Sequence, residues 1–288
     1  MPQPARSRVQ VLTYLVLLFA FSSCFYFLIL RAGGLRTGGG VYVLGLMWCP
    51  ALAGMLTLRL NGRSLTDLGW KWGEPKYQFW SWLIPILYAT IAYVIVWTFH
   101  LGAFGNEQYL DAVAKRAHLN GPHWVSLLIG FALIAIYGLI GSLSSALGEE
   151  IGWRGFLVPE LSKTTSFTVT ALISGVVWSA WHYPILIYGG YNNGTATWYG
   201  LSCFTVMVVS ISFVFAWMRL KSGSLWTGAM LHASHNLYIQ GIFTPITKDT
   251  GKTAWYIDEF GCVVPIIAIV FAIYFWSKRR ELPAPPAA

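Results

Sequence analysis

Long apolar runs alternate with short polar segments along almost the whole chain. Most runs are close to the roughly 20 residues that an α-helix needs to cross a hydrocarbon core of about 30 Å. The pattern predicts an all-α polytopic membrane bundle with about eight transmembrane helices. The predicted spans cover residues 11–30, 41–58, 79–101, 124–145, 167–188, 198–218, 225–243 and 262–276.

These runs indicate a single integral membrane domain over residues 1–281, with neither a separate soluble domain nor a long internal repeat. The fourth helix is expected to continue past Glu149 toward Val158, because it meets no proline before Pro159. The remaining residues, 282–288, are rich in Pro and Ala and are predicted to be a disordered tail.

Composition supports the membrane interpretation. Only 10% of the 288 residues are charged and 56% are hydrophobic, whereas a soluble domain carries roughly 25% charged residues. The net charge of +8 does not indicate nucleic-acid binding, because the basic residues lie in short loops and not on one helix face. The four cysteines form no CxxC motif and are interpreted as small buried hydrophobic residues.

The distribution of Lys and Arg predicts the orientation of the chain. Alternate loops and ends place twelve basic residues on the side of the two termini and six on the opposite side, with Arg154 counted apart. Because cytoplasmic loops are enriched in Lys and Arg, both termini are expected to face the cytoplasm. In a bacterium the protein would then lie in the plasma or inner membrane.

The end of the fourth helix carries Glu149, Glu150 and Arg154. On a helix Glu150 and Arg154 share one face and can pair, whereas Glu149 is rotated by about 100° from Glu150. An ionisable residue inside a span costs about 2.5–3.5 kcal/mol on insertion scales and so needs a reason. Either all three are headgroup-level charges at a helix end, or Glu150 is neutralised and Glu149 is left for another role.

Two later spans contain further polar groups. His182 lies in the fifth span, four residues after Trp178, and the seventh contains His232, His235 and Asn236. His232 and Asn236 lie on one helix face, while His235 shares that face or turns away. Each group alone is consistent with a structural hydrogen bond between helices. Together they favour one shared polar site, because buried ionisable groups pair most easily with one another.

Such a site is suited to the hydrolysis of an amide bond. A carboxylate beside an imidazole can activate water, and a second imidazole with an amide can donate hydrogen bonds to an oxyanion. The sequence contains neither GxSxG nor HExxH, so activated water is the expected attacking group.

Three short motifs resemble those of the CAAX protease and bacteriocin-processing (CPBP, or Abi) family, to which the Ras-converting CAAX endopeptidases belong. They lie in order on successive apolar segments, within about residues 124–243. The motifs are Glu-Glu-x-x-x-Arg at Glu149, Glu150 and Arg154, an aromatic-x-x-x-His at Trp178 and His182, and His-x-x-x-Asn at His232 and Asn236. The second motif departs from the family, which has Phe where this chain has Trp178.

The resemblance implies an eight-helix intramembrane endopeptidase whose site opens to the cytoplasm. By this analogy Glu149 and His182 activate water, while His232 and Asn236 form the oxyanion hole. Glu150, Arg154 and Trp178 would then have structural or substrate-orienting roles. No cofactor is expected, because Asn is a poor zinc ligand and no HExxH is present, although His232 and His235 leave a divalent metal such as zinc as the alternative.

Two other classes of function remain open. A transporter or proton-coupled carrier could use the same groups as a relay, but inverted repeats, which would favour it, are not visible. A non-catalytic partner such as an immunity protein could also retain them. The expected partners of a protease are the lipid bilayer and a peptide or protein substrate, such as a prenylated CAAX tail, a bacteriocin precursor or a pheromone.

Overall fold

The computed structural model describes residues 3–119 and 122–283, and helices dominate it. The nine helices in this part of the chain are α1 (Gln3–Arg31), α2 (Val43–Leu60), α3 (Pro75–Thr98), α4 (Glu107–Lys115), α5 (His123–Ser162), α6 (Phe167–Tyr188), α7 (Thr197–Ser222), α8 (226–246) and α9 (Val263–Ser277). Two short antiparallel strands, β1 (Ala103–Phe104) and β2 (Thr247–Lys248), pair with each other. The predicted all-α polytopic bundle is confirmed.

Among the described residues, six helices are long and apolar enough to cross a membrane: Ala5–Arg31, Gly39–Leu60, Pro75–Thr98, His123–Ser162, Phe167–Tyr188 and Thr197–Ser222. The last two predicted spans correspond to α8 and α9, so helices lie at all eight predicted places. Helix α9 has 15 residues, which is about 22 Å of helix and short of a full hydrocarbon core. Helix α8 is less apolar because it carries His232, His235 and Asn236. The number of complete spans is therefore approximate.

Local sequence explains where several helices begin and end. Pro75 occupies the first turn of α3, where its missing N–H is not needed. Ser166 caps α6 by accepting a hydrogen bond from the Val169 amide at 3.4 Å, which satisfies one of the free donors of the first turn. Gly223 ends α7 in a left-handed conformation at φ 69°, which glycine adopts without a steric penalty.

Helix α5 continues through the charged cluster, as the sequence predicted. It is 40 residues long, or about 60 Å, and it runs past Pro159 to Ser162. Two of its segments, Ile134–Gly138 and Ile151–Leu157, are π-helical, and the second is buried throughout. Such π-helical turns occur frequently at functional sites.

The loops divide the bundle into two ends. The terminal end contains the start of α1 and residues 59–76, 160–166, 219–225 and 278–283. Arg63 joins three of its elements through Gln10 at 3.0 Å and Glu160 at 2.6 Å, and the indole of Trp217 donates to the carbonyl of Lys278 at 3.1 Å.

The cleft end, named for the cleft described below, contains the described parts of residues 31–42, 99–122, 189–196 and 247–262. Here the Leu35 amide donates to the carbonyl of Gly189 at 2.9 Å. Strands β1 and β2 also pair at this end, and the Asn193 amide group donates to the carbonyl of Ala254 at 2.7 Å.

Hydropathy did not indicate α4 or the strand pair, because these elements lie in segments whose polar composition predicts loops. The extent of the single membrane domain over residues 1–281 stays a prediction. So does the disordered tail, of which residues 284–288 lie outside the described residues.

Candidate active site

Glu150 contacts two basic side chains, Arg154 and His232, through one carboxylate oxygen. Its Oε1 accepts from Nη1 of Arg154 at 3.0 Å and from Nδ1 of His232 at 3.0 Å. The pairing of Glu150 with Arg154, predicted from their spacing, is thus confirmed. The Arg154 guanidinium also lies 4.2 Å from the ring centre of Trp178 and 4.1 Å from that of Phe215, where the faces of the two rings attract a cation.

Glu149 has different neighbours although it is the adjacent residue. Its Oε2 accepts from the indole N–H of Trp178 at 2.8 Å and from that of Trp153 at 3.2 Å. Its Oε1 has no hydrogen-bond partner among the described residues. The indoles therefore hold one carboxylate oxygen and leave the other available.

Neither glutamate is exposed at a helix end. Their exposed fractions are 1% for Glu149 and 0% for Glu150, and α5 continues to Ser162 beyond them. The helix therefore carries both carboxylates inside the bundle before it reaches the terminal end, which favours the interpretation of this cluster as part of a buried site.

His182 presents one ring nitrogen to the site. Its Nδ1 donates to the carbonyl of Trp178 at 2.9 Å, so Nε2 of the neutral ring carries a lone pair. His232 has its Nδ1 on Glu150, which leaves its Nε2 without a partner among the described residues. Both rings line the same small cavity.

The predicted site residues meet around connected spaces. A cavity of about 50 Å³ is lined by Glu149, Trp178, His182, His232 and Asn236. A larger cleft of about 540 Å³ shares Glu149, His182 and Asn236 with this cavity. Glu150 and Arg154 do not line either space and lie behind the cavity wall, so the structure separates the two glutamates as their helical positions predicted.

Two glycines permit the close helix packing that builds this site. A Cβ at Gly228 would lie 2.6 Å from Oε2 of Glu150, so only glycine lets α8 approach the Glu150 group this closely. A Cβ at Gly152 would lie 2.5 Å from the carbonyl oxygen of Pro50 on α2. The contacts fix the distances from α5 to its neighbours on two sides.

A second carboxylate–imidazole pair borders the same cavity, formed by Glu259 and His235. Nε2 of His235 donates to Oε1 of Glu259 at 2.8 Å, and the hydroxyl of Tyr88 donates to Nδ1 of His235. Tyr191 donates to Oε2 of Glu259 at 2.9 Å, and its ring stacks on His182 at 6.3 Å between centres. Both carboxylate oxygens and both ring nitrogens of this pair are therefore occupied.

Sequence reasoning missed Glu259 and Tyr191. Both lie in segments between apolar runs, where polar residues are usually solvated. Next to Glu259, burial and the neighbouring carboxylate raise the pKa of Asp258 to about 7. The only signal in the sequence was His235, whose partner comes from a loop that folds back onto α8 and so could not be read from local spacing.

Two comparisons with known proteins found similar sequences. Residues 130–238 match the family of type II CAAX prenyl endopeptidases, Rce1-like. A segment of 115 residues is 30% identical to the CAAX prenyl protease 2 of Methanococcus maripaludis, covering 38% of this chain. The chain spans 41% of the length of that relative.

The matched residues 130–238 contain all three motifs, from Glu149 to Asn236, together with most of the elements that carry them. The resemblance drawn from the motifs is thereby confirmed: residues 130–238 of this multi-pass membrane protein are similar to the CAAX-type proteases of the CPBP family.

Proposed function

We propose that this protein is an intramembrane endopeptidase that hydrolyses a peptide bond in a membrane-associated protein or peptide, using a water activated by Glu149. The observation that carries the proposal is the difference between the adjacent glutamates. Glu150 is neutralised away from the cavity, whereas Glu149 lines the cavity with one oxygen free. The family match supports the same class of reaction.

Glu149 and His182 act on the water. Oε1 of Glu149 and Nε2 of His182 are both hydrogen-bond acceptors at the cavity wall, so a water between them is oriented with its oxygen toward the scissile carbonyl. As that oxygen attacks the carbonyl carbon, Glu149 takes a proton as general base. The proton then passes to the leaving amine, and the products are a carboxylic acid and an amine.

His232 and Asn236 stabilise the oxyanion. Because Nδ1 of His232 is bonded to Glu150, its Nε2 can donate only when the ring is an imidazolium. The Glu150 carboxylate favours this cationic form, and a cationic His232 with Arg154 balances the charges of the two glutamates. The Asn236 side chain, which also lines the cavity, supplies a neutral N–H donor, so two donors face the developing negative charge.

Comparative proteomics tests this proposal and identifies the substrate at the same time. Cells that lack the gene are complemented with the wild-type protein, with Glu149→Gln, or with Glu74→Gln, a matched change at an exposed carboxylate of the terminal end. Cleavage products should appear with wild type and Glu74→Gln and be lost with the deletion and Glu149→Gln. Restoration of the products by correctly inserted Glu149→Gln would contradict the role of Glu149.

The proposed reaction needs no metal ion. The described residues contain no group of three or more His, Cys, Asp or Glu that could hold a metal. We therefore expect cleavage by purified protein to survive dialysis against EDTA and 1,10-phenanthroline. A loss of activity that zinc restores would establish the metal-dependent alternative.

A further inference from the structure

The cleft that leads to the candidate site opens at the cleft end of the bundle. Beyond the site residues, its wall is formed at this end by Leu35, Tyr109, Arg116, Tyr191 and Gln240. These residues come from four separate segments, namely the loop after α1, helix α4, the loop after α6 and the second half of α8. No described residue of the terminal end lines the cleft.

The cleft is also polar along its depth. Gln240 and Tyr191 lie at its outer part, while Ser142 and Ser145 on α5 lead inward to Glu149. Hydroxyl and amide groups can hold water where an apolar wall would exclude it. The route by which hydrolytic water and a peptide reach Glu149 therefore runs from the cleft end.

The two ends differ strongly in formal charge. The terminal end has twelve Lys and Arg against four Asp and Glu, a net charge of +8. The cleft end has six Lys and Arg against five Asp and Glu, a net charge of +1. The structure confirms that these two sets lie at opposite ends, because Arg63 contacts Gln10 and Glu160 at one end whereas β1 and β2 pair at the other.

Two expectations from the sequence exclude each other in this fold. The charge bias puts both termini in the cytoplasm, and the family resemblance puts the opening of the site there as well. Since the opening and the termini lie at opposite ends, only one can be correct. The charge bias is a property of this chain, and enrichment of Lys and Arg in short loops is the main determinant of membrane orientation.

We infer that the cleft opens on the extracytoplasmic side of the membrane. With the proposed protease function, on which this step rests, the substrate is an extracytoplasmic peptide segment, either of an exported peptide or near the outer membrane boundary of an anchored protein. A C-terminal tail presented in the cytoplasm does not reach the site. Cleavage then follows export or membrane insertion of the substrate.

Thiol labelling of single-cysteine variants in intact spheroplasts tests the side of access. The four natural cysteines are replaced by Ala, and cysteines are introduced at Ser142 and Gln240 in the cleft, at Ala112 on α4, or at Thr66 on the terminal end. All four introduced positions are uncharged, so the Lys and Arg distribution that sets the orientation is unchanged. A sulfonated, membrane-impermeant maleimide is the probe.

We expect Ala112→Cys, Gln240→Cys and Ser142→Cys to be labelled in intact spheroplasts, and Thr66→Cys only after permeabilisation. Labelling of Thr66→Cys in intact spheroplasts, or of the cleft positions only after permeabilisation, would overturn the inference. So would a Ser142→Cys that stays unlabelled under both conditions. If the cysteine-free protein does not fold, a C-terminal fusion of green fluorescent protein to the natural sequence reports the side of the terminal end, and it should be fluorescent.

This measurement is independent of catalysis. If labelling has the expected pattern but no cleavage product depends on the protein, the access route stands and the protease proposal fails. If labelling blocks cleavage but occurs only from the cytoplasmic side, the protease proposal stands and the extracytoplasmic substrate is refuted.

Discussion

Two carboxylate–imidazole pairs border one small cavity, and they differ in how many of their polar atoms are occupied. The open pair, Glu149 and His182, leaves Oε1 and Nε2 without partners among the described residues. The closed pair, Glu259 and His235, has a partner on both oxygens and both nitrogens. The same two residue types thus form a candidate reactive pair in the open pair and a structural contact in the closed pair.

The two carboxylates differ because different neighbouring side chains donate hydrogen bonds to them. Indole groups hold Glu149 by one oxygen and cannot reach the other, whereas Tyr191 and His235 approach Glu259 from two sides. Residue type and burial alone do not distinguish the pairs, because all four groups lie at the same cavity. Unoccupied polar atoms facing the cavity are the feature that identifies the candidate base.

The largest expected effect is on the open pair. Glu149→Gln keeps the size of the side chain but removes the base, so we expect the rate of cleavage to fall by roughly 10²–10⁴-fold. The substrate identified by proteomics provides the assay, and the midpoint of thermal unfolding in detergent should stay close to that of wild type. A purified Glu149→Gln protein with full activity would refute the assignment.

Breaking the ion pair of Glu150 and Arg154 should affect folding instead. Arg154→Met removes one half of a fully buried ion pair, which generally costs about 3–5 kcal/mol. We expect low yield and a clearly lower midpoint of thermal unfolding. Lys76→Met is the control, because it breaks an exposed pair with Glu74 and should leave the midpoint unchanged. Equal midpoints in the two variants would argue against a structural role for Arg154.

An intermediate effect should follow from loosening Glu149 without removing it. Trp178→Phe restores the residue of the family motif and keeps the ring beside Arg154, but it deletes the 2.8 Å hydrogen bond to Glu149. A hydrogen bond to a charged group contributes about 1.5–3 kcal/mol, so kcat should fall by roughly tenfold or more with little change in KM. Trp153→Phe removes the longer bond at 3.2 Å and should have a smaller effect. The reverse order would contradict this account.

The sequence was sufficient for much of the molecule because apolar runs and helical spacing are local properties. The 3.6-residue period correctly paired Glu150 with Arg154 and turned Glu149 elsewhere. It could not show that Trp178 holds Glu149, because that contact joins two helices and depends on their packing. The departure of Trp178 from the motif is visible in the sequence, but only the structure gives a reason for it, since phenylalanine has no N–H to donate.

The elements that escaped prediction share one physical cause. Helix α4 and the segment with Glu259 lie in polar stretches whose structure depends on contacts with distant residues, such as Asn193 with Ala254 and His235 with Glu259. The direction in which the cleft opens is also a property of the assembled bundle. Loop charges predict which end faces the cytoplasm, but no local pattern shows at which end the cleft opens.

The smallest effect on catalysis is expected from the closed pair. Glu259→Gln keeps the shape of the side chain but mismatches one of its hydrogen bonds, which costs about 1–3 kcal/mol when the group is buried. The midpoint of thermal unfolding should therefore decrease, while the rate of cleavage stays within about tenfold of wild type, because the bases at Glu149 and His182 are intact. Glu149→Gln should show the reverse, with normal stability and a rate of cleavage that is lower by roughly 10²–10⁴-fold. If Glu259→Gln remains folded and loses activity as completely as Glu149→Gln, both pairs take part in the chemistry, and occupied polar atoms do not mark a purely structural role.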